Sequence, residues 1–480
     1  MQEPIAVARP NTESEVIPSV KIACVGSIIN IVVAFLIDNY ITDFPYLDWV
    51  PLGLIVVTIV TCGLNAMFVV WNSTSYLWSP LPWFLMACSA YFGVGPTMYY
   101  FANPETVAYM DAFFPVDMAI LQKACVVNSA GILVVCLTWY TALNLWPASL
   151  TIRPRPMDSR SLKWLALCFL FIGLPVKYLF ILPRAFGLTD YVLSGSIQAC
   201  GYFTYFATFI LVYLIASGRA GRPMTIFSCV FVAVEILTQL LLFSKLALFQ
   251  ALIMIFFGVY SARPTVRVLA ASSGLMVVIY ILVTPFALWC RAEAHLVGEV
   301  PGLAGRLEIV GEYLTHGFGE FEPNSTNVQW SWMRLTIAPM QAFAIDAFDR
   351  GNPGESLWVA AYTLIPRFLW ANKPMIGLSN EFNLIATGYA TNNTSPGMWG
   401  DLYWNGGWMA LILGCLYIGL LHAGITKVAV PSMKVSDFRA LPLAFFGLLI
   451  GIRVEDFFVL ACVAPVPICL AYYIVVSKFL

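Results

Sequence analysis

Residues 364–374, LIPRFLWANKP, place Arg367, Trp370 and Lys373 within seven positions, between Pro366 and Pro374. An arginine presents a planar fork of donors that matches phosphate oxygens and stays charged when partly desolvated. Lys373 adds a softer point charge. Trp370, three residues from Arg367 and on a similar helix face, offers a plane for a sugar ring. The group suits a diphosphate that departs as a bond breaks, because negative charge builds on it at that moment. The same residues also fit interfacial anchoring, with snorkelling cations and tryptophan at headgroup level. Arg291, Arg306, Arg334 and Arg350 lie in the same long segment, and of these Arg334 and Arg291 are further candidates for diphosphate binding.

A sugar hydroxyl is a poor nucleophile until its proton is taken, so a base is needed beside the cations. Glu381 in SNEFN is one candidate, flanked by Asn380 and Asn383, whose amides suit sugar hydroxyls. Asp401 in MWGDLYWNGGW is another, with an N-cap-like residue in an aromatic belt as its structural alternative. The stretch IRVEDFF holds Arg453, Glu455 and Asp456 between two apolar runs. Charges at a bilayer boundary cost free energy unless paired or working. There Arg453 is a second phosphate contact and Glu455 a base on a cavity rim, or the group is an internal ion pair closing a helix hairpin.

Other chemistries find little footing. Only His295, His316 and His422 are present, and none pairs with a Glu or Cys at ligand spacing. The twelve cysteines form no CxxC pair and fall mostly in apolar runs, so they read as buried, inert thiols. No metal or other cofactor is expected, and no glycine-rich phosphate loop points to nucleotide hydrolysis. A net charge of -1 without a basic block excludes nucleic acid as a partner.

The elements that must position these residues are membrane helices. The chain has 480 residues, 60% hydrophobic and 11% charged, with a mean hydropathy of +0.81. Soluble domains average about 25% charged residues. Spans are predicted at 21–37, 50–70, 82–101, 119–146, 163–182, 196–217, 224–242, 245–261, 267–290, 406–425, 440–452 and 457–476, about twelve in all. The pair around Ser244-Lys245 and the short span ending near Gly451 are the least regular. The fold class is therefore all-α, a polytopic membrane protein with one large outer loop. Residues 1–20 form a tail, 21–290 the first nine helices, 291–405 the loop, and 406–480 the last three helices.

Four loops hold the basic residues Arg153 to Lys163, Arg219 and Arg222, Arg263 and Arg267, and Lys427 to Arg439. Cytoplasmic placement of all four puts both termini inside and the 291–405 segment outside. Within that segment, 329–349 reads as an apolar helix bent by Pro339, and 355–370 as an amphipathic one with Glu355 near its start. Asn352-Pro353-Gly354 is a turn between them.

The stretch DRGNPGESLWVAAYTLIPRFLWANKP, followed by TNNTSPGMWGDLYWNGGW, resembles the Wzy-type polysaccharide repeat-unit polymerases, which include O-antigen and exopolysaccharide polymerases. The pattern I-P-R-x-x-W-x-x-K-P is matched by Ile365, Pro366, Arg367, Trp370, Lys373 and Pro374, while Ala371 and Asn372 stand where Pro and Asp are often found. The resemblance implies a GT-C-like transferase of a bacterial inner membrane, acting on undecaprenyl-diphosphate-linked oligosaccharide without a metal. It also implies membrane lipid and a polysaccharide chain-length regulator as partners. Carried over, Arg367 binds the donor diphosphate and Lys373 assists. An O-antigen ligase-like transferase shares this plan and would use an outer histidine, His295 or His316. A mannosyltransferase-like enzyme would use a carboxylate of its first outer loop, Asp38, Asp43 or Asp48. A transporter or flippase for lipid-linked sugars would show pseudo-repeated halves, and none are evident.

Overall fold

A computed structural model describes residues 17–40, 47–146, 154–191, 195–296, 301–317, 332–363, 365, 370, 373, 377–389 and 394–479. Among these the regular structure is entirely helical. Among the described residues seven helices are long and apolar enough to cross a membrane, so the chain is a polytopic membrane protein. They are Lys21–Tyr40 (α1), Leu47–Asn72 (α2), Met118–Leu145 (α4), Ser159–Ala185 (α5), Ile197–Ala216 (α6), Arg222–Leu241 (α7) and Gly397–Lys434 (α14). Shorter apolar helices cover Leu246–Ala262, Val266–Ile279, Phe438–Ile452 and Val459–Val475. The expected span at 82–101 is a broken helix, α3. It runs Pro80–Cys88, widens through a π turn at Ser89–Val94 and ends beyond Gly95-Pro96.

Local chemistry accounts for the boundaries. Asp117 accepts from Ala119 N at 3.1 Å and Asp158 from Ser161 N at 2.8 Å, each capping a helix start. Phe243 has φ 51°, and Ser244 caps the helix Lys245–Ala262 (α8), so the irregular stretch around Ser244-Lys245 is a true break between α7 and α8. Helix α9 runs Val266–Leu296, and Leu303–Glu312 (α10) follows.

The segment expected as an outer loop is largely helical where it is described. Ala338–Asp349 (α11) packs between α4 and α14, so it is wedged into the bundle instead of lying on its surface. Pro339 begins this helix and does not bend it. Proline has no N–H to leave unpaired in a first turn, where helical N–H groups are orphaned anyway. Glu355 stands at the N-cap of the short helical stretch Ser356–Thr363 (α12), as the amphipathic pattern predicts. The turn at 352–354 is present, with Asn352 N bonded to Ala347 O at 2.8 Å. Leu378–Thr387 (α13) follows.

Helix α14 is the spine. It packs along α4, where a side chain at Gly419 would meet Thr138 at 2.6 Å, so only glycine allows this approach. Near its start the helix breaks at Gly406-Gly407. Gly407 has φ 57° beside the Phe348 ring, a left-handed conformation glycine adopts without penalty. Leu441–Ile452 (α15) then turns at 453–457 into the last helix, Val466–Phe479 (α16), through a π turn at Val459–Val463.

Buried polar bonds fasten the bundle. Asn30 Nδ2 lies within 3.0–3.1 Å of Leu54 O, Thr58 Oγ1 and Ser129 Oγ, joining α1, α2 and α4. Asn128 and Gln341 exchange amide bonds between α4 and α11. Where Pro175 opens a wide turn in α5, Lys177 faces inward and pairs with Glu235 of α7. Tyr178 Oη donates to the same carboxylate at 3.0 Å, and the Tyr205 ring lies 4.7 Å from the ammonium.

Removing one member of this pair strands the other charge in a dry interior, at a cost of about 3–5 kcal/mol. Lys177→Met is therefore expected to lower the temperature at which the detergent-solubilised protein loses its monodisperse elution peak. Lys177→Met with Glu235→Met is expected to regain most of that loss. A double variant as unstable as the single one would show that the two charges do not act as a pair.

Candidate functional site

Asp401 sits in the first half of α14, fully buried, just before the Gly406-Gly407 break. Its carboxylate accepts from Ser356 Oγ of α12, from Asn405 Nδ2 at 3.1 Å and from Phe458 N at 2.9 Å. Asp401 thus does not cap its own helix, as the sequence pattern allows, but receives the amide that opens the final helix. Asn405 Nδ2 also reaches Ser356 Oγ at 2.6 Å, so the serine is gripped from both sides. Met398 N donates to Val454 O at 3.0 Å, tying this half-helix to the 453–457 turn.

That turn carries Arg453, Glu455 and Asp456. Glu455 Oε2 is sealed from solvent without a hydrogen-bond partner among the described residues, and burial pushes its carboxyl up to about 7. Burial raises Asp456 as well, although its carboxylate accepts from Phe457 N at 2.8 Å. Among the described residues no ion pair within 4 Å joins Arg453 to either carboxylate. The hairpin is therefore not closed by the expected salt bridge. Arg453 acts at longer range, opposing the upward shift of both acids.

Beside this buried carboxylate layer opens a cavity of about 670 Å³. Glu355, Ser356 and Tyr362 line one side, Glu381 another, and Trp404 and Phe457 the face toward α14 and the turn. Ser356 belongs to both places, since its hydroxyl holds Asp401 while its residue lines the cavity. Phe382, Trp404 and Phe457 of this lining belong to one aromatic cluster with Phe114. Gly354 N donates to Trp404 O at 3.0 Å and pins the preceding turn to α14.

The cation-bearing element approaches this cavity at one corner. The Trp370 ring packs edge-on against Tyr362, with centroids 5.6 Å apart. Lys373 Nζ donates to Ile365 O at 3.0 Å and Lys373 N to Trp370 O at 3.1 Å, a local turn. Arg367 lies outside the described residues.

The other expected residues separate. Arg291 Nε donates to Phe243 O at 2.7 Å, and the like charge of Arg334 acts on it, so these two form their own positive region. Arg334 is exposed. Asn383 is buried, with its amide donating to Tyr389 O and accepting from Thr394 Oγ1 at 2.9 Å. Both ends of that amide are occupied within the loop, which removes it as a sugar contact. Asn380 is exposed on α13. Arg306 binds the carbonyls of Pro301, Leu241 and Ala185 and thereby caps helix ends. Arg350 pairs with Asp346 at 2.8 Å. Among the described residues no cluster of His, Cys, Asp and Glu is placed to hold a metal ion. His422 is buried against Phe84, a packing position.

Sequence reading missed Ser356 and Asn405, the partners of Asp401. It also missed Lys123 at the start of α4, whose ammonium meets Asp349 at 2.5 Å while Tyr403 Oη donates to the same carboxylate at 3.2 Å. A lysine so near the end of an apolar run reads as part of the span.

Glu455 sets a pH test. Its carboxyl binds a proton more tightly when folded than when unfolded. Its contribution to stability is therefore complete below the ordinary glutamate range and is lost as pH rises toward about 7. The wild-type thermal midpoint is expected to fall between about pH 5 and about pH 8 more steeply than that of Glu455→Gln. Parallel curves for the two proteins would show that Glu455 ionises freely.

Compared with known proteins, the chain matches no family model, no curated protein and no solved structure.

Proposed function

We propose that this protein is a membrane glycosyltransferase that polymerises undecaprenyl-diphosphate-linked oligosaccharide repeat units into a polysaccharide on the periplasmic side of a bacterial inner membrane. The observation that carries the reading is the junction at Tyr362. There a carboxylate-lined cavity of about 670 Å³ meets the tryptophan of the Arg367–Lys373 element. A cavity of this size and polarity suits an oligosaccharide, and an arginine and a lysine in the sequence of that element suit its diphosphate.

In the proposed reaction a hydroxyl of the incoming repeat unit attacks the anomeric carbon of the growing chain. The new C–O bond forms as the bond to the lipid diphosphate breaks, with inversion at that carbon. The electron pair leaves with the diphosphate, where Arg367 and Lys373 meet the developing charge. The hydroxyl proton passes to a carboxylate, and Glu381 is the best placed, exposed on the cavity wall. Asp401 is engaged by three protein donors, so its part is to position Ser356 and the 453–457 turn. No metal enters the scheme.

One observation favours a second reading. The Gly406-Gly407 break beside a buried carboxylate is the kind of discontinuous helix that transporters use at a binding site. A transporter of lipid-linked oligosaccharide would move the substrate across vesicles without lengthening it.

Arg367→Ala is expected to abolish polymer formation while the protein inserts at normal levels, scored by gel ladders of the lipid-linked product. Arg367→Lys should restore little, because the fork geometry is lost. Glu381→Gln should retain binding of lipid-linked donor but slow turnover by about 10²–10⁴-fold. Long polymer from the Arg367→Ala protein would remove the diphosphate role.

A further inference from the structure

A second concavity lies on the other side of the 453–457 turn. It encloses about 420 Å³ between α14, α15 and α16, and its wall is almost wholly carbon, with Tyr417, Leu421, Gly424, Leu443, Cys469 and Tyr473 along it. Along α14 it extends from Tyr417 to Val428, about 16 Å at 1.5 Å per residue. Leu420 and Leu470 on its rim are 42% and 55% exposed, so it opens sideways, where bilayer lipid lies. At its far end the Lys427 ammonium bonds the carbonyl of Trp146 and closes the floor.

Two consecutive residues join this groove to the carboxylate site. Phe457 lines the 670 Å³ cavity. The Phe458 ring packs against Tyr417 at the head of the groove with centroids 5.7 Å apart, while its amide N holds Asp401. Tyr417 Oη is fixed on Cys462 O at 3.2 Å, which keeps that ring in place as the divider. A lipid whose diphosphate is held beside the cavity must lay its hydrocarbon chain close by. The groove begins one residue away, is apolar, and is reached from the bilayer without crossing polar surface.

We infer that the Tyr417–Val428 groove holds the polyprenyl chain of a lipid-linked substrate. This rests on the proposed function, and it commits to the isoprenoid over an ordinary phospholipid acyl chain. The aromatic rings of Tyr417, Tyr473 and Trp146 offer flat faces to the trisubstituted alkenes of a polyprenol. Excess tail length leaves between Leu420 and Leu470 into lipid.

The test uses the full-length protein in nanodiscs with a polyprenyl phosphate carrying a diazirine in its chain. Photolysis is expected to label peptides within 417–428 and 466–473, and unlabelled polyprenyl phosphate should compete while a diacyl phospholipid should not. Equal labelling by a diazirine phospholipid, undiminished by polyprenyl phosphate, would make the groove an annular lipid site and overturn the inference. Gly424→Trp, and Leu470→Trp from the opposite wall, fill the groove. Each is expected to raise KM for the lipid-linked substrate about tenfold with kcat within about twofold. Unchanged KM in both variants, with polymerisation intact, overturns the groove while leaving the function standing. Competed labelling by a protein that forms no polymer does the reverse.

Discussion

A buried carboxyl group is costly unless its oxygens find hydrogen-bond partners, and Asp401 finds them on three separate stretches of chain. Ser356 comes from the connecting segment, Asn405 from one turn further along α14, and Phe458 from the start of the final helix. Satisfying one side chain therefore fixes how the connecting segment sits on the last two helices. The cavity follows from that arrangement, since these stretches form its walls together with α13. The break at Gly406-Gly407 serves the same end, letting the half-helix that carries Asp401 turn inward while α14 continues along α4.

The two interior polar centres differ in a way that separates stability from chemistry. Lys177 and Glu235 neutralise each other, and Tyr178, Thr204 and the Tyr205 ring complete their surroundings. Such a closed set has no valence left for a ligand. The 453–457 turn is built otherwise: among the described residues Glu455 Oε2 has no hydrogen-bond partner and Arg453 forms no ion pair within 4 Å with either acid. Groups left incomplete at a site that burial disfavours are where proteins place function more often than support.

How legible this was from sequence depends on range. Apolar runs and capping residues are local, so helix α1, the break at Ser244 and the start at Glu355 were readable from patterns a few residues wide. Pro339 shows the limit of a local rule. Proline can kink a helix or begin one, and only the packing of α11 between α4 and α14 decides. Asp401 was visible as a carboxylate before a helix, but Ser356 lies 45 positions away and nothing in its neighbourhood foretells the bond. Lys177 and Glu235, 58 positions apart, each vanish into an apolar average that only their pairing explains. Asn383 erred the other way, since an amide beside an acid looks available until the fold turns it on its own loop.

The charges around the cavity also divide the proposed substrates between two places. Its described lining holds the carboxylates Glu355 and Glu381 and no cation. A diphosphate set among them would face like charge in a partly dry space, where repulsion is stronger than in water. Neutral sugar hydroxyls suffer no such penalty and gain acceptors. On the proposed chemistry the acceptor sugar therefore occupies the carboxylate-lined cavity, and the donor diphosphate is met by cations outside it. The Tyr362–Trp370 contact stands at the edge of that cavity, where the proposal would have the two substrates meet. In that proposal Trp370 serves as a partition as much as a sugar platform, set between the leaving group's charge and the base that takes the proton.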